Sequence, residues 1–282
     1  MKRATIKDIS LQIGVSTSTV SRALNDHPDI SDSLKEQVKQ VAKALNYHPN
    51  LMAVNLRRSR SNLIALIIPE ITMFFFPSVI KGVEEVVHRE GFQLLVLQSQ
   101  DSLEREIQNL RVCHDHSMEG VLLSLSAESS DVNHLSELKE VGIPVVLFDK
   151  SVVQSTFDQV LINDFEVAYQ AVTYLIEKGA KNIAGLFGNR NISISQERHK
   201  GFQQALADNG IDAYKAPTIF ASSLQQCQAA SSALLQRHKP DAFFCMSDEV
   251  AAGLYPALNA ANIRIPNDCK VIAISDGNLP YF

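Results

Sequence analysis

Residues 5–25 read TIKDISLQIGVSTSTVSRALN, and this stretch decides the fold of the N-terminal region. Thr5 followed three positions later by Asp8 is a capping box that opens a helix. Gly14 ends that helix, and Ser16 can cap a second one after a tight turn. The apolar residues at helical spacing are Ile6, Ile9 and Ile13, then Val20, Ala23 and Leu24. Two short helices joined by a glycine turn are typical of a helix-turn-helix, whose second helix enters the major groove of DNA.

A third helix is predicted after this pair. Ser31 or Ser33 opens it, and its packing stripe consists of Leu34, Val38, Val41, Ala42 and Leu45. Lys35, Lys39 and Lys43 lie elsewhere on its surface, where they either reach DNA phosphates or form an ordinary solvated face. The sequence leaves both interpretations open.

Charge is divided unevenly along the chain. Residues 1–62 hold ten Lys or Arg and five Asp or Glu, a net charge of +5. Residues 63–282 hold sixteen and twenty-six, a net charge of −10, so the whole chain carries −5. A basic N-terminal segment on an acidic remainder is typical of a DNA-reading domain joined to one that does not touch DNA.

Several function classes are disfavoured by the sequence. The N-terminus has no apolar signal core and no apolar run is long enough to span a bilayer, so we expect a cytoplasmic, nucleoid-associated protein with no membrane partner. The four cysteines make no CxxC pair. His114 and His116 flank Asp115, but neighbouring helical residues point to different faces, so no metal is expected. No nucleophile–base pair or phosphate-binding glycine loop is present, so neither an enzyme nor a cofactor is predicted.

The rest of the chain alternates strands with helices. Apolar runs typical of buried strands fall at 63–68, 92–97, 120–125, 144–148, 182–187, 242–246 and 270–274. Helices are predicted at 77–90, 165–178, 196–209, 224–237 and 249–261. The order predicts parallel sheets in two lobes, 63–161 and 162–276, with a ligand bound beyond the carboxyl ends of the strands.

The N-terminal stretch and the following LNYHPNLMAVNLR, residues 45–57, resemble the DNA-binding head and hinge of the LacI/GalR (lactose/galactose repressor) family. The body segments PEITMFFFPSVIKGVEEV, IPVVLFDK, QERHKGFQQAL and MSDEVAAGL are similar to the family's effector domain. The resemblance implies an all-α helix-turn-helix head at 1–47, a hinge helix and linker at 48–62, and a periplasmic-binding-protein-like α/β body at 63–282 for effector binding and dimerisation. The implied protein is a transcriptional regulator.

The resemblance also implies a set of DNA contacts. These are Thr5, Ser16, Thr17, Ser18, Thr19, Ser21, Arg22 and Asn25 in the head, and Asn50, Ala53 and Leu56 in the hinge. Thr17 and Ser18 occupy base-reading positions, and Arg22 can make a bidentate contact with guanine or, as the alternative, only a surface salt bridge. Leu56 matches the leucine that wedges into the minor groove, although a linker residue of this kind can also pack on the body.

The implied effector contacts are Phe75, Phe76, Ser124, Asp149, Arg198, Ser247, Asp248 and Ser275. The aromatic rings would stack on a sugar, and the polar groups would hold its hydroxyls. Three alternatives stay open. Phe75 and Phe76 can belong to the core or to a subunit contact, Arg198 can be an ordinary surface residue, and Asp248 can be the N-cap of its helix.

Some positions depart from the family pattern. Asn163-Asp164 reverses the usual order of these two residues, Ser275 stands where the family commonly has Asp, and the family continues beyond Phe282, so the body is expected to be truncated and incomplete at its C-terminus. The expected protein is a homodimeric repressor of carbohydrate-use genes that binds a palindromic DNA operator and a small sugar effector.

Three rival functions remain at this point. A binding protein for solute uptake would need an export signal and no helix-turn-helix. An enzyme acting on a sugar or nucleotide is compatible with the same α/β layers, because a fold does not fix a function. A DNA binder without a working effector site is compatible with a shortened body.

Overall fold

The computed structural model describes residues 4–48, 61–72, 75–150, 152 and 155–275. The chain consists of two compact units. Met1–Ser61 is here called the head, and Asn62–Phe282 is called the body. The hinge residues Asn50, Ala53 and Leu56 fall outside the described residues. None of the described helices is long and apolar enough to cross a membrane.

The described part of the head contains the helices α1 Ile6–Ile13, α2 Thr17–Leu24 and α3 Asp32–Ala44. Helix α1 begins at the predicted capping box, where the Asp8 carboxylate accepts hydrogen bonds from the Thr5 backbone N–H and hydroxyl, each at 2.7 Å. Gly14 ends α1 with φ 81°, a left-handed conformation that glycine adopts without strain. Ser31 is the residue that caps α3, since its Oγ accepts a hydrogen bond from Leu34 N at 3.4 Å.

A small apolar core holds these helices together. Its buried members are Ile9, Val20, Ala23, Val38 and Ala42. They come from all of α1, α2 and α3, so each helix contributes one apolar face and leaves the other to solvent. Because so few side chains make this core, each one carries a large share of the stability of the head.

The first lobe of the body is a parallel sheet with helices packed against it. Its elements are β1 Leu63–Ile68, α4 Phe76–Arg89, β2 Gln93–Gln98, α5 Leu103–Asp115, β3 Gly120–Leu123, a 3₁₀ turn Asn133–Leu135, α6 Ser136–Glu140, β4 Val145–Phe148 and β5 Asp158–Val160. The strand order is β2-β1-β3-β4-β5, and all the pairs are parallel. The order reverses between β1 and β3, and ligands of such sheets bind at that point.

The second lobe repeats the arrangement. Its elements are α7 Asp164–Glu177, β6 Ile183–Phe187, α8 Ser193–Asp208, β7 Thr218–Phe220, α9 Leu224–Arg237, β8 Ala242–Cys245, α10 Asp248–Ala260 and β9 Lys270–Ala273. The strands are parallel in the order β7-β6-β8-β9, which reverses between β6 and β8. The loops after β6 and β8 therefore lie at the ligand-binding edge of this lobe.

The predicted fold class, a helical head on an α/β body of two parallel-sheet lobes, is confirmed. Most predicted helices and strands are found within three residues of their expected bounds. No bounds were predicted for α5, which is thirteen residues long, or for β5, β7 and α6, which are three, three and five residues long. The last three hold too few residues for a periodic pattern to emerge.

Helices α7 and α8 approach each other closely at Gly201. A Cβ atom added at this position would lie 2.2 Å from the Phe165 carbonyl oxygen and 3.1 Å from the Ala168 Cβ. No larger residue fits without moving one helix. Glycine at 201 therefore fixes the spacing between α7 and α8.

Candidate functional site

The outward face of α2 is polar and exposed. Thr17, Ser18 and Arg22 are exposed, whereas Val20 and Ala23 on the opposite face are fully buried. The helix is thus anchored along one side and offers the other to a partner. A helix that reads base edges in the major groove requires this arrangement.

Short polar side chains organise both ends of α2. Ser16 Oγ accepts a hydrogen bond from Thr19 N at 3.1 Å, as the predicted cap. The same Oγ lies 2.7 Å from Ser18 Oγ and 2.8 Å from Thr19 Oγ1. At the other end, the Asn25 side-chain amide donates to the Ser21 carbonyl oxygen at 2.7 Å. Hydroxyl groups at a helix N-terminus are well suited to phosphate contacts.

The lysines of α3 differ in their partners. Lys35 Nζ lies 3.2 Å from Asp32 Oδ1, and Lys39 Nζ lies 2.6 Å from Asp26 Oδ1. The hydrogen bond from Lys39 lowers the pKa of the Asp26 carboxyl. Lys43 is exposed. An exposed ion pair such as Lys39–Asp26 stabilises a protein little, so a DNA phosphate can compete for Lys39.

A cavity of about 560 Å³ opens between the two lobes of the body. The first lobe lines it with residues 125–127, 129–133, Lys150 and Val152, and the second lobe with Asn191, Ile192, Ser193 and Gln196. Half of these residues carry a hydroxyl or amide group on the side chain, and the volume suits a small ligand. The predicted effector residues Ser124, Asp149 and Arg198 are near neighbours of the lining along the chain and are not part of it.

Asp149 follows β4 and pairs with Ser124. The buried Ser124 Oγ donates to Asp149 Oδ2 at 2.8 Å. Burial is the largest effect on the pKa of Asp149 and raises it. The hydrogen bond from Ser124 and the charges of Lys150 and Arg198 oppose this rise, and the negative charge of Asp164 adds to it. Asp149 also adopts φ 62°, a left-handed backbone that is uncommon for residues other than glycine. Desolvation and backbone strain at one carboxylate favour a functional role.

Arg198 is held inside the second lobe. Its Nε donates to Asp164 Oδ1 at 2.7 Å, and its Nη1 donates to the Met246 carbonyl oxygen. The residue is only 9% exposed, so the alternative of an ordinary surface arginine is wrong. Burial raises the pKa of Asp164, and the charge of Arg198 opposes that rise. The two side chains form a largely buried ion pair.

Ser247, Asp248 and Ser275 meet at the start of α10. Ser247 Oγ accepts a hydrogen bond from Val250 N at 3.3 Å, so Ser247 caps the helix and the alternative of Asp248 as its N-cap is wrong. Asp248 is 8% exposed, and its Oδ2 accepts a hydrogen bond from Ser275 Oγ at 2.8 Å. The ends of β8 and β9 are thereby joined through polar side chains.

The two phenylalanines differ in exposure. Phe76 is only 2% exposed and packs in the core with Leu66 and Ile68, with its ring centroid 6.4 Å from that of Phe148. The prediction that Phe76 stacks on an effector is wrong for this conformation, because its ring is covered by the core. Phe75 is partly exposed, with its ring centroid 5.2 Å from that of Phe76. Of the pair, Phe75 keeps surface for a ligand.

Several polar residues of this region were not predicted. Asp164 is the partner of Arg198, and Lys150, 8% exposed, donates to Asp101. The guanidinium of Arg190 lies 4.2 Å from the centroid of the Phe220 ring, a cation–π contact. Lys150 and Arg190 follow strands β4 and β6, so the rule that ligands bind beyond the strand ends points to both. Phe220 ends β7, which the sequence pattern missed.

Family models match both units. Residues 5–50 match bacterial regulatory proteins of the lacI family, and residues 61–276 match periplasmic binding proteins and the sugar binding domain of the LacI family. The chain belongs to the LacI family. The LacI-family resemblance of its sequence is therefore confirmed, and the protein is a DNA-binding transcriptional regulator and not an enzyme.

Individual LacI-family proteins match over almost the whole chain. The transcriptional repressor PurR of Vibrio atlanticus is 31% identical, over 99% of this chain and 84% of that protein. A LacI-family regulator from Silicibacter pomeroyi has a TM-score of 0.78 at 27% identity, covering 98% of this chain and 83% of that one. A CelR–cellobiose complex has a TM-score of 0.68 at 26% identity, and the match covers 98% of this chain and 84% of that one. The lac repressor dimer bound to operator has a TM-score of 0.85 at 20% identity, and the match covers 98% of this chain and 83% of that one. This similarity shows a shared fold.

Proposed function

We propose that this LacI-family regulator is a cytoplasmic, homodimeric repressor that binds a palindromic operator and responds to a small sugar in the interlobe cavity. The observation that carries the proposal is the two-sided character of α2. Its inner face, Val20 and Ala23, is fully buried, and its outer face exposes Thr17, Ser18 and Arg22. A rigid helix with an accessible polar face is the means by which such proteins read base edges.

On DNA, Arg22 reads a guanine through two parallel hydrogen bonds, and Thr17 and Ser18 contact neighbouring base edges. Ser16, Thr19 and Ser21, together with Thr5 and Asn25, position the helix on phosphates. The hinge residues Asn50, Ala53 and Leu56 act in the minor groove, where an apolar wedge kinks the duplex. Two heads related by two-fold symmetry require an operator with two inverted half-sites, and the lac repressor structure is that of a dimer on its operator.

In the body, the effector lies in the cavity and forms hydrogen bonds with the polar groups of its lining. Phe75 offers a ring surface, and the polar groups Ser124–Asp149, Arg198–Asp164 and Ser247–Asp248–Ser275 lie at strand ends outside the cavity lining. The hydroxyl- and amide-rich lining favours a ligand with many hydroxyl groups, and the CelR structure, similar in fold, holds cellobiose. The regulated genes are therefore proposed to serve carbohydrate use.

The proposal is tested by operator selection from a random duplex library with the purified full chain. We expect one enriched, inverted-repeat sequence, and analytical ultracentrifugation of the complex should give two chains per duplex. Enrichment of no sequence, or a single half-site bound by one chain, contradicts the operator and dimer parts of the proposal.

The effector part is tested separately with a panel of D-glucose, D-galactose, D-ribose, maltose and cellobiose. Each sugar is titrated against the selected operator, with thermal shift of the free protein in parallel. We expect one sugar to raise the melting temperature and to change operator affinity. A protein that selects an operator but responds to no sugar would be a DNA binder of another effector class or of none.

A further inference from the structure

One wall of the cavity is a loop that follows β3. This cleft wall, residues 125–133, supplies most of the lining that the first lobe contributes. The wall has no strand or α-helix within it, apart from the 3₁₀ turn that begins at Asn133. Its shape therefore has to be fixed by side-chain contacts from elsewhere in the lobe.

A buried carboxylate supplies these contacts. Glu106 on α5 is 0% exposed. Its Oε2 accepts a hydrogen bond from Ser126 N at 2.5 Å, and its Oε1 accepts one from Ser129 Oγ at 3.0 Å. The His134 ring places Nε2 2.6 Å from the same Oε1. The Glu106 side chain thus contacts Ser126 near the start of the wall, Ser129 in its middle and His134 just after its end.

Neighbouring residues of the same segment reinforce this attachment. Asp101 Oδ1 accepts a hydrogen bond from Ala127 N at 3.1 Å, next to the Ser126 contact. Glu128 Oε2 accepts one from Leu103 N at 2.9 Å. The wall is therefore fastened to the start of α5 from both directions, and Glu106 is the fully buried member of this set.

We propose that Glu106 is a positioning residue for the effector site, which acts by fixing the cleft wall and does not touch the ligand. The inference rests on the proposed function, since it takes the interlobe cavity as the place where the effector binds. A carboxylate removed from water is unfavourable unless hydrogen bonds compensate it, so Glu106 is stable here only in contact with the wall. Removing it leaves the buried Ser126 N–H without an acceptor and takes one partner each from Ser129 and His134, so the wall loses its fixed shape.

Two variants and a matched control test this role in the full chain. Glu106→Ala removes all three acceptor contacts. Glu106→Gln keeps the shape, since a Gln oxygen facing Ser126 N–H leaves its amide to donate to Ser129 Oγ and to an unprotonated His134 Nε2. Glu104→Ala is the control, because Glu104 is an exposed carboxylate on the same helix whose hydrogen-bond partner is Gln108.

Hydrogen exchange read by mass spectrometry is the readout that needs no ligand. In Glu106→Ala we expect the amides of the cleft wall to exchange about tenfold faster or more, with strand β3 unchanged. Glu106→Gln should stay near wild type, and Glu104→Ala should not differ from it. An unchanged wall in Glu106→Ala overturns the inference. Equal loss of protection in the wall and in β3 overturns it as well, because Glu106 would then hold the core and not the wall in particular.

Sugar affinity gives the second readout, with whichever of the five panel sugars shifts the wild-type melting temperature. We expect about tenfold weaker binding in Glu106→Ala and near-complete recovery in Glu106→Gln. Wild-type affinity in Glu106→Ala contradicts the inference while leaving the proposed function intact. Failure of every sugar on wild type contradicts the proposed effector, and the exchange experiment still decides whether Glu106 fixes the wall.

Discussion

The outward face of α2 and the interlobe cavity use polar side chains in opposite ways. On α2, Arg22 and Thr17 are exposed and stand over a fully buried apolar face. In the cavity lining, Ser126 and Lys150 are almost entirely buried and are hydrogen-bonded to Glu106 and Asp101. Arg198 and Asp248, at the strand ends of the body, are also buried and paired. The first surface leaves its polar groups to water, and the second satisfies them internally.

The nature of the partner explains this difference. DNA is long and charged, and it meets an open surface whose side chains stay hydrated until contact. A small ligand enters an enclosed site, and a buried polar group left without a partner there is unfavourable by about 1 to 3 kcal/mol. Residues around the cavity must therefore be paired before the ligand arrives. Substitutions that remove one partner of a buried pair should accordingly destabilise the body, whereas substitutions on the outward face of α2 should weaken recognition and leave the fold intact.

The largest effect is expected for Arg198→Ala. The change leaves the Asp164 carboxylate buried without its partner, and breaking a buried pair in this way destabilises a protein by about 3 to 5 kcal/mol. Chemical denaturation of the full chain, followed by a signal from the body, measures this loss of stability. Arg237→Ala, an exposed arginine of the same lobe, is the control. A loss no greater than that of the control would mean that Arg198 is not a structural partner of Asp164.

Ile9→Ala comes next, with an expected loss of about 2 to 5 kcal/mol confined to the head. Ile9 is fully buried in the head core, whereas Leu11 on the same helix is 78% exposed. Operator affinity should collapse in Ile9→Ala and stay unchanged in Leu11→Ala. Circular dichroism and operator titration read the two effects. Full operator binding by Ile9→Ala would show that recognition does not depend on the buried face behind α2.

Arg22→Ala should weaken preference at one base pair by about 1 to 3 kcal/mol. The melting temperature should not change, because Arg22 is exposed. Competition titrations with operators substituted at each position locate the affected base pair, and Lys43→Ala serves as a variant expected to weaken binding to all sequences alike. An equal loss on operator and random DNA would assign Arg22 to a phosphate and not to a base.

The smallest effect, on the order of 1 kcal/mol, is expected for Asp149→Asn. Burial raises the pKa of Asp149, so the folded state holds a proton more readily than the unfolded chain, and wild-type stability falls as pH rises through that range. Asn keeps the acceptor for Ser124, tolerates the left-handed backbone and has no charge to bury. Its stabilising effect should be absent at low pH and grow toward neutral pH. Denaturation across that range should show no such trend for Asp158→Asn, an exposed control.

The sequence predicted those parts of the molecule whose information is local. Capping by Thr5–Asp8 and by Ser16, and the buried face of α2, follow from residues within a few positions of each other. The fold class was predicted in the same way, from the alternation of strands and helices along the chain. A parallel sheet then places the ends of its strands together, which is why the neighbourhood of Asp149 and Arg198 could be found without coordinates.

Long-range pairing could not be predicted. Asp164 and Arg198 are separated by 34 positions, and Glu106 and His134 by 28. Nothing around Glu106 distinguishes it in sequence from a solvated carboxylate near a helix N-terminus, since its burial depends on how the loop after β3 folds over α5. Phe76 was misassigned for the same reason. Its neighbour Phe75 has the same chemistry, and only tertiary packing decides which ring is covered.

Gly201 has a consequence for how the specificity of this regulator can be altered. It lies one helical turn from Arg198 on α8, and the close approach it permits presses α8 against the helix that carries Asp164. An added methyl group at 201 would push these helices apart and separate the ion pair without changing any residue that borders the cavity. Libraries designed to accept a new effector should therefore leave position 201 unchanged, together with Ser126 and Ser129 of the cavity lining, which are hydrogen-bonded to Glu106.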